Sequence, residues 1–395
     1  MKEVVRIVLK SGKDQSAKRY HPWIFSGAIK KIYGEPGEGD IVHVFSNKDE
    51  FLGAGHYQDS SIAVRILSFR DREIGEAFLT ERLGDAVRAR RGLGLPDNPL
   101  TNVFRLVNAE GDGLPGLIID FYNGAAVMQF HSIGMHRNRN ALINGLKEVL
   151  GEKLTSIYDK STSTLPSRYA SAQKNEYLLG EPGNAEVTEH GNRFTVDWER
   201  GQKTGFYIDQ RENRKLLADY ADGKKVLNLF GYTGGFSVYA RQGGAKLVHT
   251  VDSSAHAIEM ADQNMSFNFG KDDRHRGITA DAFKYLGAPE EEYDLVVLDP
   301  PAFAKHHNVL HNALQGYKKL NAKAMEMIRP GGILFTFSCS QAVSRENFRK
   351  SVFVASANTG RRVRILHQLS QPADHPVSIY HPEGEYLKGL VLLVD

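Results

Sequence analysis

The residues best equipped for chemistry in this 395-residue chain sit directly behind two apolar runs. Cys339, the single cysteine, lies in Ser338-Cys339-Ser340 after the run ILFTF. Asp299 opens Asp299-Pro300-Pro301-Ala302-Phe303 after LVVL. A thiol acts as a nucleophile near neutral pH only if its pKa falls below the free value of about 8.5. One chemistry suits a thiolate near a carboxyl group. The sulfur adds to C6 of a pyrimidine, the ring becomes an enamine, and C5 can then attack a sulfonium methyl. Asp299 is expected to hydrogen-bond N3–H or the exocyclic amine and stabilise that adduct. The two prolines fix the backbone and remove two donors, which leaves Asp299 presented to a planar substrate and Phe303 available to stack. No residue type or spacing identifies the base that removes the C5 proton. The competing reading of Cys339 is an inert small hydrophobe in a core.

A second constellation lies upstream. Val226-Leu227-Asn228-Leu229 is an apolar strand that runs into Phe230-Gly231-Tyr232-Thr233-Gly234-Gly235 and then a helix. Glycines at such a turn let the backbone bend sharply and approach a ligand. The spacing is not G-x-G-x-x-G, which disfavours a nicotinamide dehydrogenase. Asp252 ends the next strand, about 20 residues on, where a carboxylate can accept bonds from both ribose hydroxyls of an adenosine. Asp281 follows the next helix and is expected to meet the adenine amino group. The plainer alternative is tight turns and capping acids in an ordinary scaffold.

These residues need a frame. At about 150 residues per domain, the length suggests two or three domains. Hydrophobic content of 41% and charged content of 25% are ordinary for a globular protein. The net charge of +3 permits nucleic-acid binding without arguing for it. One cysteine makes no intramolecular disulfide and rules out multi-cysteine metal sites, so a cytoplasmic location is expected. The N-terminal residues lack the apolar core of a secretory signal, and no run approaches ~18 apolar residues, so no membrane span is expected.

The first ~70 residues read as a small β barrel built on Val4–Leu9, Ile41–Phe45 and Ser61–Leu67, followed by a helix between Arg70 and Arg91. Next come strands at Leu117–Asp120 and Ala125–His131 joined by Asn123-Gly124, a helix at Arg137–Leu150, and a strand near Leu154–Asp159. After about Val187 strands and helices alternate. Strands are expected at Val226–Phe230, Leu247–Asp252, Leu295–Asp299 and Ile333–Ser338, with helices near Phe236–Gln242, Ala255–Asn268 and Leu314–Ile328. Arg361–Leu369 and Leu387–Val394 close the chain as strands. This alternation predicts an α/β fold with a parallel sheet covered on both faces.

Five stretches carry a resemblance. His21-Pro22-Trp23-Ile24-Phe25-Ser26-Gly27-Ala28-Ile29, Glu110-Gly111-Asp112-Gly113-Leu114-Pro115-Gly116-Leu117, Gln202-Lys203-Thr204-Gly205-Phe206-Tyr207-Ile208-Asp209-Gln210-Arg211 and the Asp299 and Cys339 motifs together resemble the PUA-domain-containing 23S ribosomal RNA cytosine-C5 methyltransferases over the whole chain. The resemblance implies a Rossmann-like class I methyltransferase domain with a reversed C-terminal hairpin, an N-terminal PUA-like β barrel and a central α+β domain. The corresponding boundaries are 1–72 for a PUA-like RNA-binding domain, 73–187 for the central domain and 188–395 for the catalytic domain. The resemblance also implies S-adenosylmethionine as cofactor, with Lys203, Thr204, Phe206, Asp209, Asn228, Phe230, Gly231, Gly234, Asp252, Asp281 and Asp299 as its contacts and Cys339 as the nucleophile. Another branch of RNA cytosine-C5 methyltransferases carries a second cysteine beside the Asp-Pro motif. This chain has none there.

Ribosomal RNA, or an assembling large subunit, is the implied partner, and a homodimer is compatible with the reading. Lys18–Lys31 holds four basic residues, three aromatics and no acid. Lys18, Arg19, Lys30 and Lys31 are expected on phosphates, and Trp23, Phe25 and Phe303 on exposed bases. Arg82, Arg88, Arg90 and Arg91 form a second basic cluster that a solvated helix face explains equally well. His307 and His311 have i, i+4 ligand spacing, beside His306, yet no companion acid, so no metal is expected. Two rivals stay open. In an N-methyltransferase acting on an exocyclic base amine, Cys339 is a bystander. In a non-catalytic RNA-binding assembly factor, the cofactor fold is vestigial.

Overall fold

The computed structural model describes residues 4–183, 185–303 and 310–395. Contacts divide the chain into two compact units. The first comprises Met1–Val187, Val196–Phe206 and Ala373–Gly384, and the second comprises Thr188–Thr195, Tyr207–Pro372 and Glu385–Asp395. The expected boundary near 187 is therefore crossed twice, because residues 196–206 and 373–384 pack with the N-terminal part. The expected boundary at 72 falls inside the first unit.

The first unit holds two sheets. The six-stranded one contains β1 (Val5–Leu9), β2 (Trp23–Phe25), β3 (Ile29–Tyr33), β4 (Ile41–Phe45), β5 (Phe51–Tyr57) and β6 (Ile62–Ser68), in the order β2-β6-β5-β4-β1-β3. Its core is the inward-facing alternation Ile7, Leu9, Val42, Val44, Val64 and Ile66. The five-stranded sheet contains β7 (Val103–Asn108), β8 (Leu117–Tyr122), β9 (Ala125–Phe130), β10 (Ser156–Asp159) and β11 (Glu176–Leu179), in the order β11-β10-β9-β8-β7. The β8–β9 turn is Asn123-Gly124, both with positive φ (+47° and +103°), as the two-residue hairpin signal predicts. The helices Glu76–Gly92 and Arg139–Leu150 pack in this unit's core. Arg90 belongs to that core and not to a surface cluster. It is 1% exposed and pairs with Asp112 at 2.5 Å.

A two-stranded pair, β12 (Glu186–Glu189) and β13 (Asn192–Thr195), precedes the main sheet. The second unit's seven strands are β14 (Lys225–Leu229), β15 (Leu247–Asp252), β16 (His275–Thr279), β17 (Leu295–Leu298), β18 (Gly332–Ser338), β19 (Val363–Leu369) and β20 (Lys388–Val394). Their order is β16-β15-β14-β17-β18-β20-β19. All neighbours are parallel except β20, which runs antiparallel to both β18 and β19. That is the expected reversed terminal hairpin. Alternate residues feed two cores. Val226, Leu295 and Val297 face one side, and Leu227, Leu229, Val296 and Leu298 the other. A sheet covered on both faces needs such continuous apolar strands. No described helix is long and apolar enough to cross a membrane.

Candidate active site

The order of the main sheet reverses at β14, since β15 lies on one side and β17 on the other. Ligands of open α/β sheets bind beyond the carboxyl ends of strands at such a switch point. The turn after β14 is built for close approach. Phe230 and Tyr232, neither of them glycine, adopt φ of +58° and +44°, and Gly234 has φ +78°. Backbone held in this sparsely populated region is typical of ligand-binding turns. A Cβ on Gly231 would lie 2.4 Å from the Thr250 methyl, so only glycine fits there. Asp252, at the end of β15, accepts the Tyr232 N–H at 3.0 Å and the Ser254 N–H at 2.9 Å. It thereby ties the turn to the next strand. Asn228 is buried beneath the turn. Its amide donates to Ser237 Oγ at 2.9 Å, and its Oδ1 is left without a partner. Asp281 accepts the Lys284 N–H at 2.9 Å through Oδ1 and so caps the helix Ala282–Tyr285.

Asp209 and Asp299 stand together behind this turn. Asp299 follows β17 and accepts from the Gln210 amide at 3.1 Å. Its carboxyl is pushed up to about 7, first because surrounding protein strips it of water and then because Asp209 repels its charge. Asp209 accepts the Tyr386 hydroxyl at 2.8 Å, while its Oδ1 is buried with no partner. The Tyr207 phenol is pushed up by burial and then by Asp299, so it stays neutral. Its ring meets Tyr232 edge-on at 5.2 Å. Arg214 braces the segment from below, donating to the Tyr207 carbonyl at 2.9 Å and, in a buried two-pronged pair, to Glu189 at 2.9 and 2.8 Å. Arg214→Ala leaves Glu189 buried and uncompensated, and is expected to cost about 3–5 kcal/mol in denaturant unfolding of the full chain.

Cys339 follows β18, the strand next to β17, and is partly buried. Its Sγ lies 3.8 Å from the Pro300 carbonyl, so the structure brings the thiol beside the residue that follows Asp299. Lys388, which sequence reasoning missed, is opposite Ser338 in the β18–β20 ladder. Its Nζ donates to the Ser340 carbonyl at 2.5 Å. A lysine opening an apolar terminal run carries no signal that it faces inward. Gln210 was visible only as part of the stretch that carried the resemblance.

Lys203, Thr204 and Phe206 group with the first unit, where Thr204 donates to Asp120 Oδ2 at 2.6 Å. Phe303 is not a free stacking platform. Its ring leans on Tyr317 at 4.7 Å and joins the core cluster. In the N-terminal sheet Ile24 is core, Trp23 is partly buried with its indole N–H on Glu110 at 2.8 Å, and Phe25 is 48% exposed. Lys18 is drawn into ion pairs with Asp14 at 3.0 Å and Glu50 at 2.6 Å, whereas Arg19, Lys30 and Lys31 stay exposed. His306 and His307 lie outside the described residues. Among the described residues, His21, His381 and Glu383 form one group with the reach to hold a metal. The Trp23 N–H donates to His21 Nδ1 at 3.2 Å, which leaves the ring proton on Nε2, facing Glu383 at 3.4 Å. His21 and Glu383 share that contact, whereas His381 Nε2 is buried with no hydrogen-bond partner among the described residues.

The family described as S-adenosylmethionine-dependent methyltransferase matches residues 112–379, and a PUA-like domain matches residues 7–69. The chain belongs to the S-adenosylmethionine-dependent methyltransferase family. Similar proteins include the ribosomal RNA large subunit methyltransferase I of Alteromonas mediterranea, 38% identical, and that of Tolumonas auensis, 40% identical, each matched over 98% of both chains. A Streptococcus mutans structure described as a SAM-dependent methyltransferase shares the fold, with a TM-score of 0.84 at 22% identity over 99% of this chain and 100% of that one. A further structure with TM-score 0.85, also 22% identical over 99% and 100% of the two chains, was solved with SAH. The methyltransferase's cofactor is S-adenosylmethionine, and the turn fits it. The glycine cradle at Gly231, the carboxylate of Asp252 and the orphaned buried oxygen of Asp209 supply the close approach and the acceptors that an adenosyl amino acid requires.

Proposed function

We propose that this methyltransferase acts on large-subunit ribosomal RNA and methylates C5 of a cytosine through a covalent bond between Cys339 and C6. The observation that carries the reading is the convergence of Cys339 and the Asp299-Pro300 turn at the ends of neighbouring parallel strands, 3.8 Å apart at Sγ and the Pro300 carbonyl. The names of the relatives support the substrate.

S-adenosylmethionine, held by Asp209, the 230–234 turn and Asp252, supplies an electrophilic methyl group. The protein's own part is to make cytosine C5 a nucleophile. Cys339, as thiolate, adds to C6. Asp299 is near half protonation at neutral pH, so its acid form donates a hydrogen bond to N3 and gives up that proton as the ring accepts the sulfur's electrons. The ring then carries no net charge, and once C5 has taken the methyl group, loss of the C5 proton to a base expels Sγ from C6 and N3 returns its proton to Asp299. Pro300 and Pro301 hold Asp299 in place without offering competing N–H donors.

The test is transfer of labelled methyl to ribosomal RNA from cells lacking the protein, followed by mass mapping. 5-Methylcytidine at one site is expected. Methyl on an exocyclic nitrogen would overturn the C5 assignment, and no transfer with intact RNA binding would favour the assembly-factor reading.

RNA capture is assigned to the N-terminal sheet. Phe25→Ala is expected to weaken binding of single-stranded RNA by about 1–3 kcal/mol. Lys30→Gln with Lys31→Gln is expected to lower the dependence of log affinity on log salt by about 2. Fluorescence anisotropy against salt reads both, and an unchanged slope removes the two lysines from the phosphate path.

A further inference from the structure

We propose that Lys388 is a positioning residue whose buried ammonium holds Cys339 as the thiolate. The proposal rests on the reading of Cys339 as nucleophile and supplies what that reading lacks, a reason for the thiol to ionise.

Lys388 is 3% exposed. A buried ammonium is costly unless a partner of opposite charge or several acceptors repay its lost hydration. Among the described residues no carboxylate lies within ion-pair distance of it. One hydrogen bond is in place, to the Ser340 carbonyl at 2.5 Å. The ladder opposes Lys388 to Ser338 and its Nζ reaches the Ser340 carbonyl, so its two contacts flank Cys339 along the chain. Burial pushes the ammonium down to about 8, and the largest opposing influence is Cys339, ahead of Glu385. Arg345 also faces it, but Arg345 is engaged with Glu385 in an ion pair. On the thiol side, Tyr207 and Tyr317 both feel Cys339. Both phenols are pushed up by burial and stay neutral. Lys388 is a buried cation placed to answer a negative sulfur. When Sγ loses its proton to solvent, the thiolate and the ammonium neutralise each other, and the strand pairing holds them in register.

Cys339 is the only cysteine, so alkylation by iodoacetamide reports on it alone in the full chain. Rates are measured between pH 6 and 10 for the parent, Lys388→Met, Lys388→Gln and Lys388→Arg. Lys388→Met and Lys388→Gln are expected to move the midpoint up by a unit or more and to slow alkylation at pH 7 about tenfold, while Lys388→Arg stays within about threefold of the parent. A structural role alone predicts overlapping midpoints. If the profiles of Met, Gln and Arg variants superimpose on the parent's, the proposal fails. Calorimetric binding of S-adenosylmethionine identifies any variant that does not fold, and the arginine form then decides by itself, since a midpoint raised by a unit despite the retained charge overturns the proposal. Methyl transfer by Cys339→Ala separates the two claims. Activity in that variant sinks the nucleophile and leaves the alkylation result standing. A dead Cys339→Ala with superimposed alkylation profiles sinks only Lys388.

Discussion

Cys339→Ala is expected to bind S-adenosylmethionine within a few-fold of the parent and to lose methyl transfer by on the order of 10⁴-fold or more, the scale seen when a covalent nucleophile is removed. The two halves of that result have separate structural causes. The turn proposed to hold the cofactor, residues 230–234 with Asp252, is held by backbone conformation and by hydrogen bonds from the Tyr232 and Ser254 amides to Asp252. The thiol lies on the far side of Asp299, after β18. The side chain is small and partly buried, so its truncation is expected to cost no more than about 1 kcal/mol of stability. Isothermal calorimetry and a single-turnover methylation assay on one preparation check both halves. Transfer at the parent's rate contradicts the covalent route.

Asp299→Asn is expected to stabilise the protein above neutral pH and to disable it. The carboxyl stands at about 7 in the fold against 3.8 in an ordinary setting, so folding favours its protonated form. The stabilisation from that raised value is complete below about pH 4 and drains away as pH rises through 7. An asparagine does not ionise and escapes the loss. Each pKa unit is worth about 1.4 kcal/mol, so the variant's advantage grows between pH 4 and 7 to at most about 4 kcal/mol. Thermal unfolding followed across that range checks the sign. The opposite trend would mean that the carboxylate is stabilised in the fold. Activity is expected to fall by on the order of 10²–10³, because the amide cannot give a proton to N3. In the parent, the pH profile of kcat/KM should bend downward above about 7 as Asp299 ionises, and that bend should vanish in the asparagine variant.

Much of this site could be read along the chain because chemistry-bearing residues stand at the ends of long apolar strands. β14, β15, β17 and β18 are nearly unbroken runs that lead, in that order, into the cofactor turn, Asp252, Asp299 and Cys339. β16 was not legible. It lies at the sheet edge and contains His275, Arg276 and Gly277, so it lacks the apolar pattern of its neighbours. β2 and β3 are short and carry exposed residues, and β5 is interrupted by Gly53 and Gly55. At Asp281 a cap and a ligand place the same residue type at the same strand-to-helix junction, so the residue type alone does not separate the two roles. Arg90 read as surface because a 3.6-residue period does not reveal that Asp112 waits across the core. The return of residues 373–384 to the first unit, and the inward face of Lys388, depend on contacts far apart in sequence and leave no local trace.

The most direct test of the account is a ribosomal RNA fragment carrying 5-fluorocytosine at the mapped site, incubated with the protein and S-adenosylmethionine. Fluorine at C5 cannot leave as a cation, so an enzyme that has joined C6 to its thiolate is arrested as a protein–RNA adduct. The account predicts a denaturation-resistant adduct whose protease fragment carries the modified base on Cys339, and none with Cys339→Ala. Full turnover on that substrate without an adduct would contradict it.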